Sequence, residues 1–280
     1  MSPSDTSVPA SQLIGDVTIP QLGFGVFQIP PDQTTEATLR AFETGYRHID
    51  TAAAYRNEAE VGQAFRASGL DRDDVFITTK CFNDSHGYEQ AKQAFQNSID
   101  RLELEFVDLY LIHWPVPSQD KYVETWKAFV ELKEQGLIRS IGVSNFQPAH
   151  LQRIADETGV TPSVNQIELH PRFQQAGLRR EHHDRGIVTE AWSPLAQGAV
   201  LDDPVLTEIA EAHDKTTGQV VLRWHVQLDN VVFPKSVTPE RIEENFGIFD
   251  FHLSEDEMGR IEALDAGERQ GPDPDTFVRP

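Results

Sequence analysis

Cysteine is almost absent from the chain, with Cys81 alone among 280 residues. A disulfide framework and a cysteine-built metal site are excluded, and reducing cytoplasm is the expected compartment. Long apolar runs are missing too: nothing approaches the roughly 20 residues that cross a bilayer, so no membrane partner is expected. Residues 1–11 are small and polar, without the basic start and apolar stretch of a secretory signal. Residues 1–12 are therefore expected to form a flexible tail ahead of a single domain at 13–280.

Positive charge is also scarce. The chain has 45 acidic against 24 basic residues, a formal net charge of -21, and only 7 of the basic residues are lysine. Such a surface repels nucleic acid and anionic lipid, so neither is an expected partner. Acidic pairs such as Asp73-Asp74, Asp202-Asp203 and Glu243-Glu244 are spread along the chain, so the charge coats the fold. This acidic, lysine-poor profile resembles that of proteins from salt-accumulating organisms; an ordinary acidic cytosolic enzyme is the plainer reading.

What is present is regular alternation. Eight short β-rich runs lie at 22–27, 46–50, 75–80, 107–113, 138–144, 164–168, 187–192 and 231–235. Helical patterns separate them, with apolar residues three or four apart, as at Val61 and Phe65 or Trp126 and Val130. Parallel strands joined by right-handed helical crossovers, eight times over, predict an α/β fold, a (β/α)8 TIM barrel. An open doubly wound sheet is the competitor, but Gly23-Phe24-Gly25 lacks the third glycine of a dinucleotide-binding turn. The long gap before the eighth run holds two helical patterns, predicting an extra helix there. Ser254-x-x-Glu257 predicts a capped carboxyl-terminal helix, and the Pro-rich stretch 271–280 an irregular flap.

In such a barrel, chemistry gathers at the carboxyl ends of the strands. Three consecutive runs end in Asp50, Lys80 and His113, and Tyr55 follows Asp50 in a loop before Asn57-x-x-Glu60, a plausible helix cap. Singly, each of these residues has an ordinary role as a loop cap, packing or solvated surface. Jointly they make chemical sense: Lys80 would lower the pKa of the Tyr55 phenol, Asp50 would hold Lys80 charged, and His113 would donate to a substrate carbonyl. The set describes carbonyl reduction. A separate anion site is expected where Lys235, Ser236 and Arg241 surround the start of a helix capped at Thr238-Pro239, unless Arg241 pairs instead with Glu240 or Glu244.

Several motifs then match at once: Gly45-Tyr46-Arg47-His48-Ile49-Asp50-Thr51-Ala52 with Tyr55-x-Asn57-Glu58, Phe76-Ile77-Thr78-Thr79-Lys80, Asp108-Leu109-Tyr110-Leu111-Ile112-His113-Trp114-Pro115 and Ile141-Gly142-Val143-Ser144-Asn145-Phe146. Over 22–277 the chain resembles the aldo-keto reductase family, most of all prokaryotic members of the 2,5-diketo-D-gluconate reductase type. The resemblance implies Tyr55 as general acid, Lys80 and Asp50 as its partners and His113 as carbonyl orienter. It also implies NADPH/NADP+ as cofactor. Trp192 would stack on the nicotinamide and Ser144, Asn145 and Gln166 would hold its carboxamide. Lys235, Ser236 and Arg241 would receive the 2′-phosphate, with Asn245 near the adenine.

Substrate identity is much less legible. Phe27, Phe82, Trp114 and the segment around Phe277 suggest an apolar pocket for a small-molecule carbonyl substrate, and Cys81 beside it is either small packing or a redox-sensitive thiol. Family members of similar length often carry tryptophan at the position of Phe82, so whether their preference for polyol-type substrates carries over is left open. His182-His183 is read as solvated helix surface, since adjacent helical histidines diverge and no third ligand is apparent; no metal is expected. A monomer is expected. A Schiff-base aldolase using Lys80 and a non-catalytic nicotinamide-binding regulatory subunit are the competing functions; the aldolase has no use for the anion site.

Overall fold

The computed structural model describes residues 8–278. Two short antiparallel strands, β1 (Ala10–Gln12) and β2 (Thr18–Pro20), come first. The tail expected through residue 12 is thus structured from Ala10 onward, and residues 1–7 lie outside the described part. The reason is apolar: Leu13 and Ile19 are buried with Phe76, Leu109, Leu111, Val164 and Val231, plugging the amino-terminal end of the barrel.

Eight parallel strands follow in chain order around one sheet: β3 (Phe24–Gly25), β4 (His48–Asp50), β5 (Phe76–Cys81), β6 (Val107–Ile112), β7 (Ile138–Ser144), β8 (Val164–Glu168), β9 (Val188–Trp192) and β10 (Val231–Val232). A parallel bridge between Leu22 and Val232 closes the ring, through Gly23 N–H to the Val232 carbonyl at 2.7 Å and Val232 N–H to the Gln21 carbonyl at 2.8 Å. The expected (β/α)8 barrel is the observed fold. β3 and β10 are shorter than expected. Pro234 has no N–H with which to extend the eighth strand and contributes only its carbonyl, which accepts from Gly25 N–H at 3.3 Å.

Helices Pro204–His213 and Thr217–Gln227 both precede β10, where an extra helix was expected. The carboxyl-terminal helix Glu255–Glu262 starts with the reciprocal Ser254 and Glu257 capping box. Asn57 behaves differently from expectation. It precedes helix Glu58–Ser68, yet its side chain makes no cap bond. Instead it is buried and ties loops together, donating to the Val26 and Ile29 carbonyls at 2.9 and 3.2 Å and accepting from Thr51 Oγ1 at 3.0 Å. Thr238 likewise precedes helix Pro239–Phe246 without capping it, and Ser236 Oγ accepts from Thr238 N–H at 3.1 Å.

The period-two alternation of the strands sorts side chains into two environments. Ile49, Ile77, Cys81, Tyr110, Ile167 and Ala191 pack in the main core, which includes residues of the surrounding helices. On the other parity His48, Thr78, Asp50, Lys80, Gln166 and Glu190 turn inward, where they bond or act on one another across the barrel. Helix Glu58–Ser68 sits so close to its neighbour that a Cβ on Gly62 would lie 2.1 Å from the Leu102 carbonyl oxygen. Among the described residues no helix is long and apolar enough to cross a membrane.

Candidate active site

Lys80 is fully buried at the carboxyl end of β5. Its ammonium donates to Asp50 Oδ1 at 2.7 Å, the Thr51 carbonyl at 2.9 Å and the Tyr55 hydroxyl at 3.3 Å. Burial works against this charge, but Asp50, then Tyr55, more than offset it, and the Lys80 pKa lies above its ordinary value. Lys80 is therefore a cation at neutral pH. Asp50 is steadied from its other side, since Gln166 Nε2 donates to Asp50 Oδ2 at 2.9 Å and to Glu190 Oε2 at 2.8 Å. Gln166 and Glu190 are register partners on β8 and β9, and hydrogen bonds across the barrel join them with Asp50 and Lys80 into one polar layer below the mouth.

Tyr55 stands over this layer in a short 3-10 turn, Ala53–Tyr55, held by the left-handed Arg56 that follows it. The lowered phenol expected from a neighbouring ammonium is not what the surroundings produce. Burial is the largest influence and raises the Tyr55 pKa; Lys80 opposes it and Asp50 adds to it. The phenol is thus a protonated hydroxyl at neutral pH, accepting a hydrogen bond from the Lys80 ammonium. His113 lies beside it, with ring centroids 5.8 Å apart, and Phe82 packs on its other side at 5.6 Å. Burial, then Lys80, drives the His113 pKa well below its ordinary value, so the imidazole is neutral. Its Nδ1 has no hydrogen-bond partner.

A continuous cleft of about 2020 Å3 extends from this group and is lined by Tyr55, His113, Ser144, Asn145, Gln166 and Trp192 at one end and by Lys235, Ser236, Arg241 and Asn245 at the other. The first end is tightly wired. Asn145, held at a φ of 64°, donates to the His113 carbonyl and to Ser144 Oγ, both at 3.0 Å, and accepts from Trp192 Nε1–H at 2.8 Å. Ser144 Oγ donates to the Gln166 carbonyl at 2.9 Å. At the other end Lys235 and Arg241 are exposed and enter no ion pair among the described residues. Of the nearby carboxylates, Glu243 pairs with Arg40 and Glu244 accepts from Thr216. Phe27, Phe82 and Trp114 also line the cleft, with Phe27 5.0 Å from the Tyr55 ring and Trp114 4.4 Å from Phe277, which closes the pocket from the carboxyl-terminal flap.

Residues 21–266 match the family model described as the Aldo/keto reductase family. The chain belongs to the aldo/keto reductase family. An aldo-keto reductase of Mycolicibacterium smegmatis is 56% identical over 260 residues, covering 93% of this chain and 94% of the relative. The methylglyoxal reductase DkgA of Escherichia coli is 52% identical over 261 residues, with 92% and 94% covered. Among solved structures, a Gox0644 variant in complex with NADPH superposes with a TM-score of 0.94 at 47% identity, covering 98% of this chain and 100% of that one.

Within this aldo/keto reductase, sequence reasoning missed Glu190 and Glu168. Both lie on the inward parity of their strands, two residues before Trp192 and two after Gln166, so period-two counting was the signal that would have found them. Glu168 accepts from Gln270 and Gly271 N–H at 2.6 and 2.9 Å and so pins the start of the flap. One other expectation changes, and the reading of Cys81 as small packing holds. His182 is not solvated: it is buried between Asn165 and Thr189, at 2.9 Å from each, and only His183 is exposed. Cys81 turns away from the cleft into the core, and burial raises its thiol to about 12, which makes it a packing residue. Among the described residues no cluster of His, Cys, Asp or Glu is arranged to hold a metal.

Because Lys80 depends on Asp50 for its charge, Asp50→Asn is expected to lower the unfolding free energy by about 3 kcal/mol, the typical loss when one partner of a buried pair is removed. Chemical denaturation at neutral pH measures this. An unchanged midpoint would show that Lys80 does not need the carboxylate.

Proposed function

We propose that Tyr55, Lys80, Asp50 and His113 carry the NADPH-dependent reduction of a small aldehyde or ketone to an alcohol in this enzyme. The observation that carries the reading is the single ammonium of Lys80 joining Asp50 to the Tyr55 hydroxyl beside a neutral His113. NADPH supplies a hydride to the carbonyl carbon when bound. The residues of the chain do the rest. His113, neutral, donates a hydrogen bond that orients the carbonyl oxygen. Tyr55 gives that oxygen its proton, and Lys80 stabilises the phenolate left behind. Asp50 keeps Lys80 charged, which argues against a Schiff-base role for the amine.

The cleft also fits the cofactor. Lys235, Ser236 and Arg241, the two cations entering no ion pair among the described residues, would hold the 2′-phosphate, with Asn245 near the adenine. Asn145 and Ser144 would hold the carboxamide, and Trp192 would stack on the nicotinamide, its indole already oriented by Asn145. Both amide protons of Gln166 are directed at carboxylates, so its contribution would be the amide oxygen. Phe27, Phe82 and Trp114 would form the walls around the substrate. Methylglyoxal is a reasonable first substrate to assay, given the relatives named for its reduction; a panel with α-ketoesters and keto-sugars defines the range.

The reading extends to the setting: a monomer in reducing cytoplasm, adapted to salt. The support is one buried thiol and a net charge of -21. Tyr55→Phe is expected to abolish reduction while leaving NADPH affinity nearly intact, since only the donated proton is lost. Retained turnover within a fewfold of wild type would sink the assignment. Arg241→Ala is expected to weaken NADPH binding about tenfold or more relative to NADH, a charge-assisted contact being worth about 1.5–3 kcal/mol; equal losses for both cofactors would contradict the site. Melting temperature should rise as KCl approaches molar concentration, because the Debye length falls from about 10 Å at 0.1 M to about 3 Å at 1 M and self-repulsion is relieved. A protein fully stable in dilute buffer, with activity falling steadily as salt is added, would reject salt adaptation.

A further inference from the structure

The interior layer beneath Tyr55 contains two carboxyl groups and one cation. All three ammonium protons of Lys80 are engaged by Asp50, the Thr51 carbonyl and Tyr55, and none reaches Glu190. Glu190 is completely buried. Its Oε2 accepts from Gln166 Nε2, the nitrogen that also donates to Asp50, and its Oε1 has no partner. A carboxylate here would be a buried charge with one oxygen unsolvated and no cation in contact, a costly arrangement. A protonated carboxyl would offer Gln166 the same acceptor and add no charge.

The titratable groups acting on Glu190 from the packed strands are Asp50 of β4 and Lys80 of β5; β8 contributes the uncharged Gln166, and the register neighbour on β10 is Val231. Burial, then Asp50, pushes the Glu190 carboxyl up to about 8 against the opposing pull of Gln166 and Lys80. We propose that Glu190 is a positioning residue which, held as a neutral acid, fixes Gln166 against Asp50 and leaves Lys80 and Asp50 as the one charge pair under Tyr55. This rests on the reading of Tyr55, Lys80 and Asp50 as the proton-transfer group. Its consequence is a pH dependence of definite sign. An acid with a raised pKa is neutral below it and charged above it. Ionisation would bring a second negative charge to the layer, disfavour phenolate at Tyr55 and weaken it as a proton donor, so reduction declines as pH rises.

The test compares wild type with Glu190→Gln and Glu190→Leu. Infrared spectra of the apoprotein at neutral pH should show a protonated-carboxyl C=O band in wild type that Glu190→Gln lacks and that vanishes on the alkaline side. In wild type, kcat/KM for reduction should fall about tenfold through that alkaline transition, equivalent to raising the Tyr55 pKa by about one unit, whereas Glu190→Gln should lack that limb. Glu190→Leu, which removes the acceptor for Gln166, should lose about tenfold in kcat with little change in KM for NADPH, and Glu190→Gln should recover most of the loss. If Glu190→Leu does not fold, the spectra and pH profiles of wild type and Glu190→Gln decide the matter. No protonated-carboxyl difference at neutral pH, or superimposable profiles, would overturn the proposal. The infrared result needs no turnover, so it stands apart from any failure of the Tyr55 assignment.

Discussion

The buried ammonium of Lys80 is the constraint around which the mouth of the barrel is arranged. A cation fully removed from water survives only where every proton meets an acceptor and a compensating charge is in contact. Asp50, the Thr51 carbonyl and Tyr55 meet that demand, and each comes from β4 or the turn that follows it. The geometry of the β4 turn is thus tied to a side chain on β5. Asn57 reinforces the same turn from outside, joining Thr51 to the loop after β3. Tyr55 is positioned by this network and held beside His113, so one electrostatic requirement brings a protonated phenol, a cation and a neutral imidazole together in one place.

The molecule separates its charges by environment. The barrel interior holds a few ionisable groups, each accounted for by a partner or by protonation. The chain carries 45 acidic against 24 basic residues, and charges exposed to solvent are screened by water and salt. Lys235 and Arg241 form a cationic corner of the cleft that enters no ion pair among the described residues, and the acidic neighbours Glu243 and Glu244 are turned to Arg40 and Thr216. The carboxyl-terminal flap is anchored differently, by the Glu168 carboxylate on two backbone N–H groups and by Phe277 on Trp114.

How far the sequence was legible depends on the range of the interaction involved. Strand and helix alternation is a local signal, and it was enough for the barrel, the two helices before β10 and the capping box at Ser254. Residues at strand ends announce themselves by position, which is why Asp50, Lys80 and His113 could be grouped with Tyr55 before any coordinates. The short polar stretch at Ala10–Gln12 misled, because its order comes from Leu13 and Ile19 filling the barrel floor, a contact with residues far along the chain. Asn57 and His182 misled for the same reason: each has local features of a surface or cap residue, and each is buried by loops or strands distant in sequence.

By itself, the amino-acid sequence determined the order of elements, the closed parallel fold that this order favours, the residue types available at the strand ends and the sign of the net charge. These follow from periodicity, spacing and composition, which are properties of neighbours along the chain. Tertiary structure decided the protonation of the site and the wiring of the polar layer. The balance between burial and Lys80 that leaves Tyr55 protonated, the absence of a cation beside Glu190 and the sharing of Gln166 between two carboxyl groups all depend on desolvation and on distances across the barrel. Those quantities exist only once strands remote in sequence have closed around a common interior.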